Sequence, residues 1–428
     1  MNIFLRIFLI IFLFLLIYSI YRSEIYWQGK LRNNYLFNYF ILITLIIIFI
    51  TVQFINKIKV YFIIIFISFF FSLYLFELFL HYKYTHKELD LLFNAKKKYQ
   101  IYSDFKKKND LISTVIPPMI DINTKQSLLP LSGISNIKTI HCTESDYTSI
   151  YLSDRYGFNN PDEEWNNFEV EYLLIGDSFA HGACVNRPND IASVIRSLSK
   201  KNVLNLGYSG IGPLMQYAIL REYFPSVSKN IIWLYFEGND MEDLKNELSS
   251  KLLNNYLNDK NFSQNLKFKQ NLIDKFLLNV FENEIKKIQE IIIHENFVVR
   301  FIKLSKVRIL LKSLFYKERQ ISQNFDDLKK ILDLVKNFAS EKNAKLYFVY
   351  LPEINRYNQK NHIYDASRKV PIKKIVDELN ITLIDIDEEI FMKEINPLNL
   401  FPSMKYFHYN IEGYNKIAIK IYEKTNSH

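Results

Sequence analysis

Apolar positions follow two regimes along this chain. Residues 3–20, 36–55 and 60–80 are nearly unbroken apolar runs in which Arg6 and Glu77 are the only charges. Each approaches the roughly 20 residues that a helix needs to cross a bilayer core. No small-residue cleavage site follows the first run, so it does not read as a removable signal peptide. The pattern predicts a multi-pass membrane domain of three helices over 1–81. A polar connector follows over 82–167, with turn chemistry at Pro117-Pro118 and in RYGFNNPDEEW (155–165). From 168 the apolar runs become short: VEYLLIG (170–176), KNVLNLG (201–207), KNIIWLYFEG (229–238), AKLYFVYLP (344–352) and NITLIDID (380–387). Continuous rather than alternating hydrophobicity marks strands covered on both faces. Residues 168–428 therefore predict an α/β domain with a doubly wound, five-stranded parallel sheet. A Lys- and Asn-rich helical stretch over 241–340 is too long for one crossover and reads as a helical insertion.

Charge changes this picture little. Lys and Arg number 54 against 45 Asp and Glu, a formal +9, and AKKKYQIYSDFKKKND (95–110) sets lysine triplets among aromatics. No zinc-finger spacing or RNP-like motif accompanies them, so no nucleic-acid partner is expected. Beside a membrane span, such a cluster fits anionic lipid headgroups or a solvated helix face. Arg22, Lys30 and Arg32 in the first loop and the lysines after the third run share a side in a three-span chain, and that tally alone favours the cytosol. Cys142 and Cys184 are the only cysteines. They leave open a disulfide, two buried thiols or a four-ligand set with His141 and His181, and no metal or cofactor is expected.

Candidate chemistry collects at the carboxyl ends of the strands, where open α/β sheets form their crevice. The first strand ends in Gly176-Asp177-Ser178, a tight turn that leaves a serine at the start of the next helix. That serine alone is as consistent with a helix cap as with a nucleophile. The second strand ends in NLGYSGIG, offering Gly207 as a backbone donor, and the third in EGND, offering the uncharged amide of Asn239. Near the C-terminus KYFHYNIEGY supplies His408. Together these make a nucleophile, oxyanion donors and a base. His181, three residues after Ser178, reads as a packing or rim residue. Ser209 lacks nucleophile-elbow spacing. Asp385 and Asp387 read as a solvated strand end.

On the blocks GDSF, NLGYSG, GND and KYFHYNIEGY, the segment 170–428 resembles the SGNH (GDSL-like) hydrolase superfamily. The resemblance implies a flavodoxin-like sheet, Ser178 as nucleophile, the N–H groups of Ser178 and Gly207 with the Asn239 side chain as oxyanion hole, and His408 as base. Two departures stand out. Glu237 occupies the position where the third block usually has glycine. Lys405 occupies the position three before the histidine, where the family has its acid, which leaves a Ser178–His408 dyad or an acid from another loop, with Glu353 a candidate. The resemblance implies a membrane-anchored bacterial serine esterase that removes acyl groups from an envelope glycan or lipid. Two alternatives use the same fold: an O-acyltransferase on envelope polysaccharide, dependent on an envelope-biosynthesis partner for its acyl donor, and an inactive glycan-binding module. Such a substrate places the catalytic domain outside the bacterial inner membrane, against the lysine tally, where Cys142 and Cys184 could form a disulfide.

Overall fold

The computed structural model describes residues 2–426 apart from 27–28, 30–31, 56, 84–96, 109, 119–127, 143, 145–147, 295–296, 315–323, 359–367 and 405–406. The chain divides into two units: Met1–Glu88 with Glu295–Tyr316, and Leu89–His294 with Lys317–His428.

The first unit is helical. Among the described residues, two of its helices, Ile3–Tyr26 and Lys59–Lys83, are long and apolar enough to cross a membrane. The middle of the three predicted spans falls in helix Arg32–Phe54, which carries the apolar stretch Asn38–Phe54. Phe8, Phe12, Phe49, Phe62 and Phe66 interlock between these helices at ring separations of 5.1–6.1 Å. Part of the predicted insertion belongs to this unit. Helix Ser305–Leu314 begins with the N–H groups of Lys306 and Val307 donating to the fully buried Glu77 carboxylate at 2.9 and 2.8 Å. The carboxylate thus satisfies donors that the first turn of a helix leaves open.

The second unit carries two sheets. Strands β1 (Ile112–Thr114), β2 (Lys138–Cys142) and β3 (Ser149–Leu152) form a small sheet in the order β1-β2-β3, the first pair parallel and the second antiparallel. The sequence predicts only a polar connector here. Strands β4 (Glu169–Gly176), β5 (Val203–Asn205), β6 (Val227–Phe236), β7 (Lys345–Leu351) and β8 (Thr382–Asp385) form an all-parallel sheet in the order β5-β4-β6-β7-β8. This is the doubly wound, flavodoxin-like arrangement that the five apolar runs predict, with its switch point at β4 and β6.

Both faces of the large sheet are covered. Leu173, Ile175, Ile231, Trp233, Phe348 and Tyr350 enter one apolar core, while Leu174, Ile232, Leu234, Phe236, Val349 and Leu351 enter the other. Side chains alternate faces along a strand, so two cores require apolar residues at successive positions. The edge strand β5 is closed by a side chain: Asn160 Oδ1 accepts the N–H of Asn205 at 2.8 Å, and Asn160 Nδ2 donates to the Asn205 carbonyl at 2.9 Å. Asp154 organises the loop around Asn160, accepting from the N–H groups of Tyr156 and Phe158, from Asn160 Nδ2 and from Trp165 Nε1 at 2.7–3.0 Å.

Candidate active site

The site forms at the carboxyl ends of β4 and β6. Gly176 ends β4 at φ 153°, and a Cβ there would lie 2.7 Å from the Leu234 carbonyl oxygen and 2.9 Å from Ala180 Cβ. Only glycine makes this turn without displacing β6. Asp177 caps the short helix Ser178–His181, its Oδ1 accepting the Phe179 N–H at 2.9 Å.

Ser178 Oγ lies 2.9 Å from His408 Nε2, and His408 Nδ1 lies 2.8 Å from Glu144 Oε1. The second Glu144 oxygen accepts the His408 N–H at 3.4 Å. A carboxylate only accepts, so Nδ1 carries the ring proton and Nε2 is left to accept from Ser178. Burial raises the Glu144 pKa, but the bonds to His408 and its ring's charge outweigh that, and Glu144 titrates below the ordinary carboxylate range. The ring of His408 is held by Phe179, 4.9 Å away, and the adjoining Tyr409 is anchored by its hydroxyl to the Pro352 carbonyl at 2.6 Å.

Glu144 is the residue that sequence reasoning misses. It sits in the loop between β2 and β3, two residues after Cys142, which is disulfide-bonded to Cys184 with a Cα–Cα distance of 4.9 Å. The bond ties the acid's loop to the segment just after the Ser178 helix. Cys184 Sγ also lies 3.4 Å from His408 Nδ1. Lys405, at the family's acid position, lies outside the described residues. Glu353 is not the partner of His408. Its N–H donates to Glu237 at 2.7 Å, and its carboxylate accepts from Asn355 Nδ2 at 3.3 Å.

Of the expected oxyanion donors, Gly207 and Asn239 each already have a partner. The Gly207 N–H donates to Asn205 Oδ1 at 2.8 Å, and a Cβ on Gly207 would meet Ala180 and His181 backbone at 2.6 Å. Gly207 thus packs against the Ser178 turn, with its N–H committed to a side chain. Asn239 Nδ2 gives one hydrogen to Asp243 Oδ2 at 2.8 Å and keeps a second. Glu237, the departure in the third block, is buried and paired with Arg356, whose Nε donates to it at 2.9 Å.

Other candidates resolve into structure. His181 is buried between Ser209 and Tyr151, at 3.1 and 2.9 Å, and burial holds its pKa down at about 3. Its Nδ1 also accepts the Ser209 N–H at 3.1 Å, so Ser209 belongs to this packing cluster. The expectation that Asp385 and Asp387 form a solvated strand end is corrected. Both are buried and bind Lys369 Nζ at 2.9 and 2.8 Å, with Arg356 a further 3.2 Å partner of Asp387. The run had too little hydrophobic context to reveal that Lys369 closes over it.

Fold and site together describe a doubly wound α/β domain with a serine, a histidine and a glutamate in one hydrogen-bonded line. No family model and no curated protein matches the chain. Among solved structures, a candidate lipolytic protein of the G-D-S-L family from Desulfitobacterium hafniense DCB-2 is 14% identical, with 60% of this chain and 99% of that one covered at a TM-score of 0.28.

Proposed function

We propose that this chain is a membrane-anchored serine esterase of the SGNH type, acting on acyl groups carried by a cell-envelope glycan or lipid. The observation that carries the reading is the line Ser178 Oγ, His408, Glu144, at 2.9 and 2.8 Å. Ser178 Oγ attacks the ester carbonyl carbon as its proton passes to His408 Nε2. Glu144 keeps the ring oriented through Nδ1–H and stabilises the imidazolium. The oxyanion takes the Ser178 N–H and the second hydrogen of the Asn239 amide. His408 then protonates the departing alkoxide, and water attacks the acyl-serine with the same histidine as base. In this reading Gly207 is a packing residue.

The inactive-module alternative drew on the absence of an acid beside His408, and Glu144 removes that ground. Helices Ile3–Tyr26 and Lys59–Lys83 supply the tether. The Cys142–Cys184 bond favours an oxidising compartment, outside the inner membrane. A fluorophosphonate probe tests the chemistry: the folded full chain should label, and Ser178→Ala should not. Equal labelling of both proteins, or none of the native one, overturns the esterase reading. For location, an impermeant thiol reagent should reach a cysteine introduced at Ser199 of intact cells in a background lacking both native cysteines. Protection of that cysteine until the membrane is opened would place the domain in the cytosol.

A further inference from the structure

The esterase chemistry uses Glu144 and His408 but gives the disulfide beside them no part. Cys142 Sγ, Cys184 Sγ, a Glu144 carboxylate oxygen and a His408 ring nitrogen all lie within 4.8 Å of one another. His408 Nδ1 is 3.4 Å from Cys184 Sγ and 2.8 Å from Glu144 Oε1. Two thiolates, an imidazole nitrogen and a carboxylate suit tetrahedral Zn(II), whose bonds of about 2.0–2.3 Å set ligand-to-ligand edges of roughly 3.3–3.8 Å. The Nδ1–Sγ spacing of 3.4 Å already matches those edges, and the 2.8 Å hydrogen bond from Nδ1 to Glu144 has to open by about 0.5 Å once the metal replaces its proton. The covalent bond between the two sulfurs is what prevents a metal from entering.

We infer that reduction of Cys142–Cys184 converts this corner of the site into a Zn(II) site made by both thiolates, His408 Nδ1 and Glu144, and that filling it switches the enzyme off. A dithiol reductant supplies two electrons and two protons, the S–S bond breaks, and the reductant leaves as its own disulfide. Zn(II) then displaces the two thiol protons to solvent and takes the Glu144 carboxylate as it stands. At His408 the metal needs the Nδ1 lone pair, so the ring proton moves from Nδ1 to Nε2 through solvent. Nε2–H then donates to Ser178 Oγ and no longer accepts its proton. The block is one of tautomer: Ser178 stays in place without a base, and the histidine loses its carboxylate to the metal. The metal site stands independently of the proposed function, whereas its inhibitory effect rests on the esterase reading.

The test uses the full chain in detergent micelles, with and without treatment by tris(2-carboxyethyl)phosphine, which is removed before titration with ZnCl2. Bound zinc is counted with a chromogenic chelator, and turnover of a short-chain nitrophenyl ester is followed in parallel. The reduced chain should retain about one more zinc than the oxidised chain, and Cys142→Ser/Cys184→Ser should lose that gain. Glu144→Gln and His408→Ala, each reduced, should weaken zinc binding by more than about tenfold, since loss even of outer-shell partners costs about 10–100-fold. Equal zinc in the oxidised and reduced native chains overturns the site. So does unchanged affinity in reduced Glu144→Gln and His408→Ala, because the thiols alone would then be binding metal in a loosened chain. Zinc uptake as expected with turnover intact overturns the inhibitory half. A chain that turns over no ester in any state defeats the esterase reading, and the zinc count still decides the site.

Discussion

The two sheets of the second unit are built in contrasting ways. The five-stranded sheet buries both faces in separate apolar cores, and its strand ends inherit that rigidity. The three-stranded sheet has short strands and a register irregularity between Ile140 and Cys142. Polar and covalent ties help to hold it: Ser153 Oγ accepts the Ile137 N–H and donates to the Ile134 carbonyl, Asn186 Oδ1 accepts the Ile150 N–H, and Cys142 is bonded to Cys184. Ser178 depends on the first sheet and Glu144 on the second, and His408 bridges them. Residues on the rigid scaffold should therefore show large catalytic and small structural effects on substitution. Residues that tie down the small sheet should show the reverse.

The largest effects are expected at the bridge. Ser178→Ala and His408→Ala should each lower kcat for ester hydrolysis by about 10^4-fold or more, the scale on which removing a nucleophile or its base acts. Thermal unfolding should shift little in either variant. A residual rate within tenfold of the native one would mean that the base or nucleophile lies elsewhere. Glu144→Gln comes next. It keeps the shape and one acceptor but loses the charge that stabilises the imidazolium, so kcat should fall by about 10^2- to 10^4-fold with KM little changed. An unchanged kcat would reduce the site to a Ser178–His408 dyad, with the small sheet irrelevant to catalysis.

The disulfide ranks below these in rate and above them in stability. Replacing both cysteines by alanine opens a cross-link spanning 42 positions, and such bonds contribute about 2–4 kcal/mol. With the anchor of the Glu144 loop gone, kcat should fall by about tenfold while the five-stranded sheet persists. Calorimetry and ester turnover on the same preparation would separate the two effects. A loss of turnover as complete as that of Ser178→Ala, in a folded protein, would show that the disulfide does more than hold a loop.

The same contrast explains what could be read from the sequence. Strands β4 to β8 announce themselves because burial on two faces forces continuous apolar runs, and Gly176 and His408 stand at breaks in that pattern. Strands β1 to β3 carry Ser113, Thr139, His141 and Ser149 among a few apolar residues. Nothing in that periodicity separates them from loop. Glu144 lies 264 positions before the histidine it serves, in a polar stretch where one more glutamate carries no signal. The cysteines offered the one clue, Cys142 just before Glu144 and Cys184 just after the Ser178 block. The sequence left their pairing open, and the bond brings the Glu144 loop to the segment after Ser178.

The smallest effect sharpens the comparison by pH. Beneath the large sheet's carboxyl ends lie four acids that the mechanism does not use. Burial is the main cause that pushes Asp177 up to about 7, Asp243 to about 6, Glu247 to about 8 and Asp240 well above the ordinary range, and repulsion from Asp177 adds to it at Asp240. In the unfolded chain these groups lose their protons near pH 4, whereas the folded chain keeps them to higher pH. The native state then binds more protons than the unfolded state, so stability falls as pH rises from about 4 to about 8. Glu144 works with the opposite sign, since its lowered pKa contributes stability above the unfolded value that is lost as pH falls. Between pH 5.5 and 8.0 the raised group dominates: Glu144 is ionised in both states across that window, and the lowered His181 opposes the slope only below about pH 6.5, where the unfolded imidazole takes its proton. The thermal midpoint of the second unit should therefore be higher at pH 5.5 than at pH 8.0, by a few degrees at about 2–4 °C per kcal/mol. Asp240→Asn should flatten that slope, because the amide removes a buried titrating group. Cys142→Ala/Cys184→Ala should leave the slope unchanged, since those acids belong to the other sheet. A native midpoint that stays level or climbs from pH 5.5 to 8.0 would mean that these carboxyls are charged in the folded protein, with counter-charges close enough to offset their burial.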